Sequence, residues 1–271
     1  MKRFSSWAVR RPILFSVLFC VPVILAFLTL ASVISEVFNH LAGWGSNGDY
    51  VGNTIGLVIG SVFLYELLRR FEWLDVVGLR KPQPVAGLFI VPPLLYVITV
   101  MFYVSSGTFD LDFSDPLRSS LITIRMLSTG LFEETAFRGV ILSAMLLAWG
   151  STKRGILKCF LISSLLFGMM HLINLLSRDM LPSISNAVYT CFTGALFAGV
   201  TLRCRSIWPA VLLHGMSNAL LSLNRLGEPA PEWTPEYAAV RILVHLPLAL
   251  YGLLLLRGVA ARPEITAARD G

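Results

Sequence analysis

Long apolar stretches, each closed by a short polar or charged segment, recur along this chain from residue 12 to residue 256. A helix needs about 20 mostly apolar residues to cross a hydrocarbon layer of roughly 30 Å. Eight stretches meet or approach that length: 12–34, 51–68, 85–105, 117–149, 155–176, 183–202, 206–223 and 239–256. The pattern predicts an all-α, polytopic membrane helical bundle of about eight transmembrane helices. The fourth stretch is too long for a perpendicular span and is expected to tilt or to begin at the interface. In the sixth, Gly194, Ala195, Ala198 and Gly199 give a small-residue face suited to close helix packing.

The segments between the stretches alternate in charge. The N-terminus, the loop with Arg69, Arg70, Arg80 and Lys81, then Lys153, Arg154 and Lys158, then Arg203 and Arg205, and the tail with Arg257, Arg262 and Arg269 hold 16 of the 22 basic residues. The intervening loops carry Glu36 and Asp49, then Asp110, Asp112 and Asp115, then Asp179, then Glu228, Glu232 and Glu236. Cytoplasmic loops are enriched in Lys and Arg, so both termini are expected on the cytoplasmic side. The first stretch is longer than the apolar region of a signal peptide, about 7–15 residues, and reads as an uncleaved span.

Composition agrees, with 55% hydrophobic and 14% charged residues and a mean hydropathy of +0.72. A soluble surface on a chain this long would carry more charge, so residues 1–271 read as one membrane-embedded domain. The net charge of +6 sits in the loop clusters and not in a basic stripe with interleaved aromatics, which argues against nucleic acid as a partner. Cys20, Cys159, Cys191 and Cys204 stand singly in apolar runs without C-x-x-C spacing and read as small core residues.

Ionisable groups inside a bilayer are costly and each needs a reason. The fourth stretch contains Phe132-Glu133-Glu134-Thr135-Ala136-Phe137-Arg138-Gly139. Glu134 and Arg138, four apart, share a helix face and can pair. Glu133 points about 100° away from its neighbour and needs another partner. The fifth stretch places Phe167 four residues before His171, and the seventh places His214 four before Asn218. Gly168, Gly215 and Ser217 leave room for close approach by another helix or by a substrate backbone. Taken singly, each motif reads as packing: a helix ion pair, or an interhelical hydrogen bond. Three of them on three stretches, all at i,i+4 spacing, point to one shared site. Counted along the helices, His214 lies nearer the basic-loop ends than His171, a gap in depth that tilt would have to close. Glu66 before Arg69 and Arg70 reads as a surface pair, and His40 and His245 read as surface or packing residues.

The order Glu-Glu-x-x-x-Arg, Phe-x-x-x-His, His-x-x-x-Asn, with the fuller string Glu-Glu-Thr-Ala-Phe-Arg-Gly, resembles the CAAX-processing and bacteriocin-processing (CPBP) family of intramembrane proteases. Residues 117–223 form the core that carries these motifs. The resemblance implies a glutamate-type hydrolytic site. Glu133 would act with His171 to activate water, His214 and Asn218 would donate to the oxyanion, and Glu134 and Arg138 would hold the first glutamate in place. The chain is then expected to be an intramembrane endopeptidase of a bacterial inner membrane, without a cofactor. A zinc reading of Glu133, His171 and His214 is the lesser alternative, because the spacing is not H-E-x-x-H and Arg138 and Asn218 would lack roles. The expected partners are membrane lipids and a membrane-associated peptide or protein substrate, with no oligomeric state specified. Two competing readings are a non-hydrolytic immunity or scaffold protein with the same constellation, and a proton-relay transporter, for which repeat symmetry is missing.

Overall fold

The computed structural model describes residues 2–41, 43–79, 87–101, 111–224 and 232–262. Arg80, Lys81, Asp110, Glu228 and Arg269 among the loop charges, and residues 85–86 and 102–105 of the third stretch, lie outside them. The described residues are helical with no strand.

The chain begins with α1 (Lys2–Arg10), which the sequence reading treats only as a basic flank. It is an amphipathic helix: Phe4 stacks on Trp7 at 5.5 Å and meets the edge of Phe15 at 5.9 Å, while Ala8 is fully buried. Next come α2 (Pro12–His40) and α3 (Ser46–Arg70), which pack side by side with Gly52 against Ser35 and Gly56 against Ala31. At the end of α3, Arg69 and Arg70 reach Glu66 at 2.6 and 2.7 Å, the surface pair expected. Helix α4 (Gly87–Tyr96) holds Pro92 and Pro93 and runs into a π turn, Val97–Met101.

The fourth stretch folds as one unbroken helical run. It comprises α5 (Pro116–Glu134), a π turn (Thr135–Ile141) and α6 (Leu142–Trp149). Asp115 caps it by accepting the Arg118 N–H at 3.0 Å. From Glu134 to Leu147 every residue is buried, because α1, the start of α2, α3 and α7 pack around this part of the run. Helix α7 (Lys153–Met170) ends in a 3-10 turn, His171–Leu176. It is followed by α8 (Met180–Cys204), α9 (Trp208–Leu223) and α10 (Pro235–Leu255). The small face of α8 does what its sequence suggests: Gly199 lies directly against the backbone of Gly252 in α10, and Gly194 faces Phe167 and Ser164 of α7.

Among the described residues, five helices are long and apolar enough to cross a membrane: Pro12–His40, Ser46–Arg70, Lys153–Leu176, Met180–Cys204 and Pro235–Gly258. The other three stretches are helical but differ from a free-standing span. Helix α9 has only 16 residues and α4 is shorter still. The fourth run is diluted by Arg118, Arg125, Glu133, Glu134 and Arg138, of which Glu134 and Arg138 are fully buried inside the bundle.

The segment after α3, read from sequence as a charged loop, is largely apolar and buried through Phe71, Trp73, Leu74, Val76, Val77 and Leu79. It seals one end of the bundle. Gly78, at φ +66°, lies so close to the Arg205 carbonyl that a Cβ would collide with it. The Trp208 indole N–H donates to the Leu79 carbonyl at 3.0 Å. Arg262 donates from Nη1 to the Val76 carbonyl at 2.8 Å and from its backbone N–H to the Gly150 carbonyl at 2.9 Å. The four cysteines are free thiols, and all but Cys191 are fully buried.

Candidate active site

The two glutamates close the last α turn of α5 and face different surroundings. Glu134 is fully buried, and its Oε1 accepts two hydrogen bonds, from Arg138 Nη1 at 2.9 Å and from His214 Nδ1 at 2.9 Å. Arg138 is also fully buried; its Nη2 donates to the Gly194 carbonyl at 2.8 Å. The expected i,i+4 pair is therefore present, and it ties α5 to both α8 and α9. The Glu133 side chain is 20% exposed, and its Oε2 lies 3.9 Å from His214 Nε2, beyond hydrogen-bond distance.

His214 reaches the glutamates because α5 and α9 cross with their backbones touching. A Cβ on Gly130 would lie 2.7 Å from the Gly215 nitrogen and 2.9 Å from the Val211 carbonyl oxygen, and one on Gly215 would lie 2.9 Å from the Leu127 Cα. The space around Gly215 is thus filled by a helix and not by a substrate. Gly168 is likewise occupied by α8, at Ala187 and Cys191.

Phe167 explains the aromatic of the second motif. Its ring lies 5.3 Å from the His171 ring, 5.9 Å from His214 and 5.0 Å from Phe137, all edge-on, and 4.5 Å from the Arg138 guanidinium carbon. It fills the centre of the polar cluster and keeps water away from the Glu134–Arg138 pair. Phe197 of α8 completes the enclosure by stacking on His214 at 4.7 Å.

His171 lies not within α7 but at the start of the 3-10 turn that follows it. Its Nδ1 is 3.0 Å from the Phe167 carbonyl oxygen. A carbonyl only accepts, so Nδ1 carries the proton and Nε2 presents a lone pair. By the same argument His214 Nδ1 carries its proton toward Glu134. The depth gap between the two histidines is closed: both line one cavity of about 230 Å³, with Glu133, Ser217 and Asn218. A second, more apolar cavity of about 180 Å³ lies on the other side of Glu133 and His171, bounded by Ile24, Leu28 and Phe137. Among the described residues, no group of three or more His, Cys, Asp or Glu side chains is placed to hold a metal ion.

The larger cavity also contains residues the sequence reading did not assign to a site. Arg241 and His245 of α10 line it, together with Asn186 and Tyr189 of α8. His245 is 2% exposed, its Nδ1 bonds the Arg241 carbonyl, and its ring stacks on Tyr189 at 4.5 Å. Packing residue describes it only in part. The signal was available: Arg241 and His245 are an i,i+4 ionisable pair in an apolar stretch, the criterion that identified the other motifs.

No curated protein and no solved structure matches the chain. A family model does match, over residues 116–220, with the description Rce1-like, type II CAAX prenyl endopeptidase. That segment holds all six candidate residues, so the motif-bearing core of this integral membrane protein is similar to the Rce1-like endopeptidases, the CAAX-processing type its sequence resembles.

Proposed function

We propose that the chain is an intramembrane endopeptidase that hydrolyses a peptide bond of a membrane-associated protein or peptide. The observation that carries this reading is the convergence of Glu133, His171, His214 and Asn218, from three separate helical segments, on one cavity. A structural ion-pair network would not need an accessible carboxylate beside a buried one. Here Glu134 is committed to Arg138 and His214, while Glu133 opens to the cavity.

In this mechanism a water molecule sits between the Glu133 carboxylate and the His171 Nε2 lone pair. Glu133 takes a proton from the water as its oxygen bonds to the substrate carbonyl carbon, and returns that proton to the amide nitrogen as the C–N bond breaks. The Asn218 amide and His214 Nε2 donate to the oxyanion in between. With Nδ1 donating to Glu134, Nε2 donates when the ring carries both protons. Glu134, held by Arg138, fixes the orientation of His214, as a carboxylate does for the base of a serine-protease triad.

The test is the set of membrane proteins that accumulate uncleaved when Glu133→Gln or His171→Ala replaces the parent in cells, with insertion checked by expression level. Both variants are expected to abolish cleavage, whereas Asn218→Ala leaves a residual rate about 10²–10³-fold lower. Full cleavage by Glu133→Gln would overturn the enzymatic reading and favour a scaffold. One zinc per chain in the purified protein, lost with activity on chelation and restored with it, would replace the glutamate mechanism with a metal one.

A further inference from the structure

The start of α7 and the end of α10 leave a groove that the proposed hydrolysis does not use. Both helices pack along α8, and the groove between them has a volume of about 340 Å³. Each side contributes the same pattern to its lining. Lys153, Ile156 and Leu157 fall at i, i+3 and i+4 on α7; Leu253, Leu256 and Arg257 fall at i, i+3 and i+4 across the end of α10 and the 3-10 turn Leu256–Gly258. Helix α7 enters the bundle at Lys153 and α10 leaves it by Arg257, so the two cations share the mouth of the groove. Leu157 and Leu253 lie four residues further in along their helices, a rise of about 6 Å.

A single Lys or Arg at the end of a membrane helix is ordinary. Here two of them, from separate helices, converge on one apolar groove, and charge selects what can fill it. The sequence holds no Asp or Glu from residue 135 to 178 or from 237 to 263. Lys153 and Arg257 make no ion pair among the described residues. Neighbouring cations are already engaged: Lys158 Nζ lies over the Trp149 ring at 3.7 Å, and Arg203 Nη1 donates to the Gly258 carbonyl. The two cations that line the groove are left for an anion with an apolar tail.

We propose that the groove binds one anionic diacyl phospholipid, its phosphate between Lys153 and Arg257 and an acyl chain along Ile156, Leu157, Leu253 and Leu256. The planar guanidinium of Arg257 can bond two phosphate oxygens at once, and Lys153 adds a point charge. Basic pockets between membrane helices hold lipid headgroups in this way. The lipid bridges two helices that otherwise meet through α8, and both border the larger cavity, α7 through Phe167 and α10 through His245.

Binding of this kind is measured without reference to hydrolysis, by native mass spectrometry of the full-length protein in detergent. The probes are dioleoyl phosphatidylglycerol, which is anionic, and dioleoyl phosphatidylcholine, which is zwitterionic. The parent is expected to take up the first phosphatidylglycerol about thirtyfold more tightly, about fivefold for each cation that meets the net charge. Lys153→Gln with Arg257→Gln is expected to bring the two lipids level. Arg10→Gln with Arg11→Gln, which removes as much charge from two exposed positions outside the groove, is expected to keep the preference. Leu157→Trp with Leu253→Trp fills the groove from two exposed positions and is expected to weaken both lipids. Equal affinity of the parent for the two lipids, which needs no variant, overturns the proposal. So does an unchanged preference without Lys153 and Arg257, or undiminished binding with the groove filled. An equal loss on replacing Arg10 and Arg11 would replace the site with general attraction to anionic headgroups. Displacement of the lipid by glycerol 1-phosphate at matching concentration would replace it with a site for free phosphate.

Discussion

One oxygen of Glu134 serves two donors, Arg138 and His214, and the Glu134 and Arg138 side chains are themselves fully buried. Removing one member of a fully buried pair leaves an uncompensated charge, and Arg138→Ala is expected to lower stability by about 3–5 kcal/mol, read as a fall in Tm in detergent. Replacing both charges with apolar side chains, Glu134→Met with Arg138→Met, restores much of that loss. It does not restore cleavage, because His214 Nδ1 then has no acceptor. A double variant that regains both stability and cleavage would show that Glu134 has no part in orienting His214. The sequence gives the Glu134–Arg138 pair because i,i+4 contacts on a helix are local geometry. It does not give His214 as the second donor to the same oxygen, nor Phe167 as the filler between them, because both depend on the depth and tilt of helices far apart in the chain.

At the scale of elements, the site depends on how closely α5 approaches α9. Gly130 and Gly215 allow backbone contact there, and Gly130→Val would push α9 away from the glutamates. Overpacking of this kind costs typically about 1–3 kcal/mol, and more where the obstacle is backbone. Gly139 is the comparison. An added Cβ there meets the end of the Leu68 side chain at 3.0 Å, which can move. Gly139→Ala is therefore expected to stay close to the parent in Tm and cleavage, with Gly130→Val losing both. Equal effects at the two positions would place the control of the site elsewhere. The π turn Thr135–Ile141 has no signature that apolar periodicity detects. Helix α1 has no apolar signature in the sequence, because its basic residues outweigh Phe4 and Trp7.

For the whole molecule, the basic segments predicted to share a side do meet at one end of the bundle: residues 76–79 contact the turn at 205–208, and Arg262 contacts Val76, Leu202 and Gly150. At the other end the Asp112 N–H donates to the Leu223 carbonyl at 3.2 Å. Reporters fused at Arg154 and Arg205 are expected to read the same side, cytoplasmic by the excess of Lys and Arg, and reporters at Asp112 and Glu232 the opposite one. Agreement of all four would overturn the alternation. The ties of Arg262 also bear on how the protein can be handled. Its side chain is 3% exposed and fastens the stretch after α10 across the sealed end, while α10 itself forms a wall of the cavity through Arg241 and His245. A purification handle grafted at residue 258 would displace Arg262 and loosen the helix that shapes the binding cavity, so an affinity tag or surface anchor belongs beyond residue 262, on a flexible spacer.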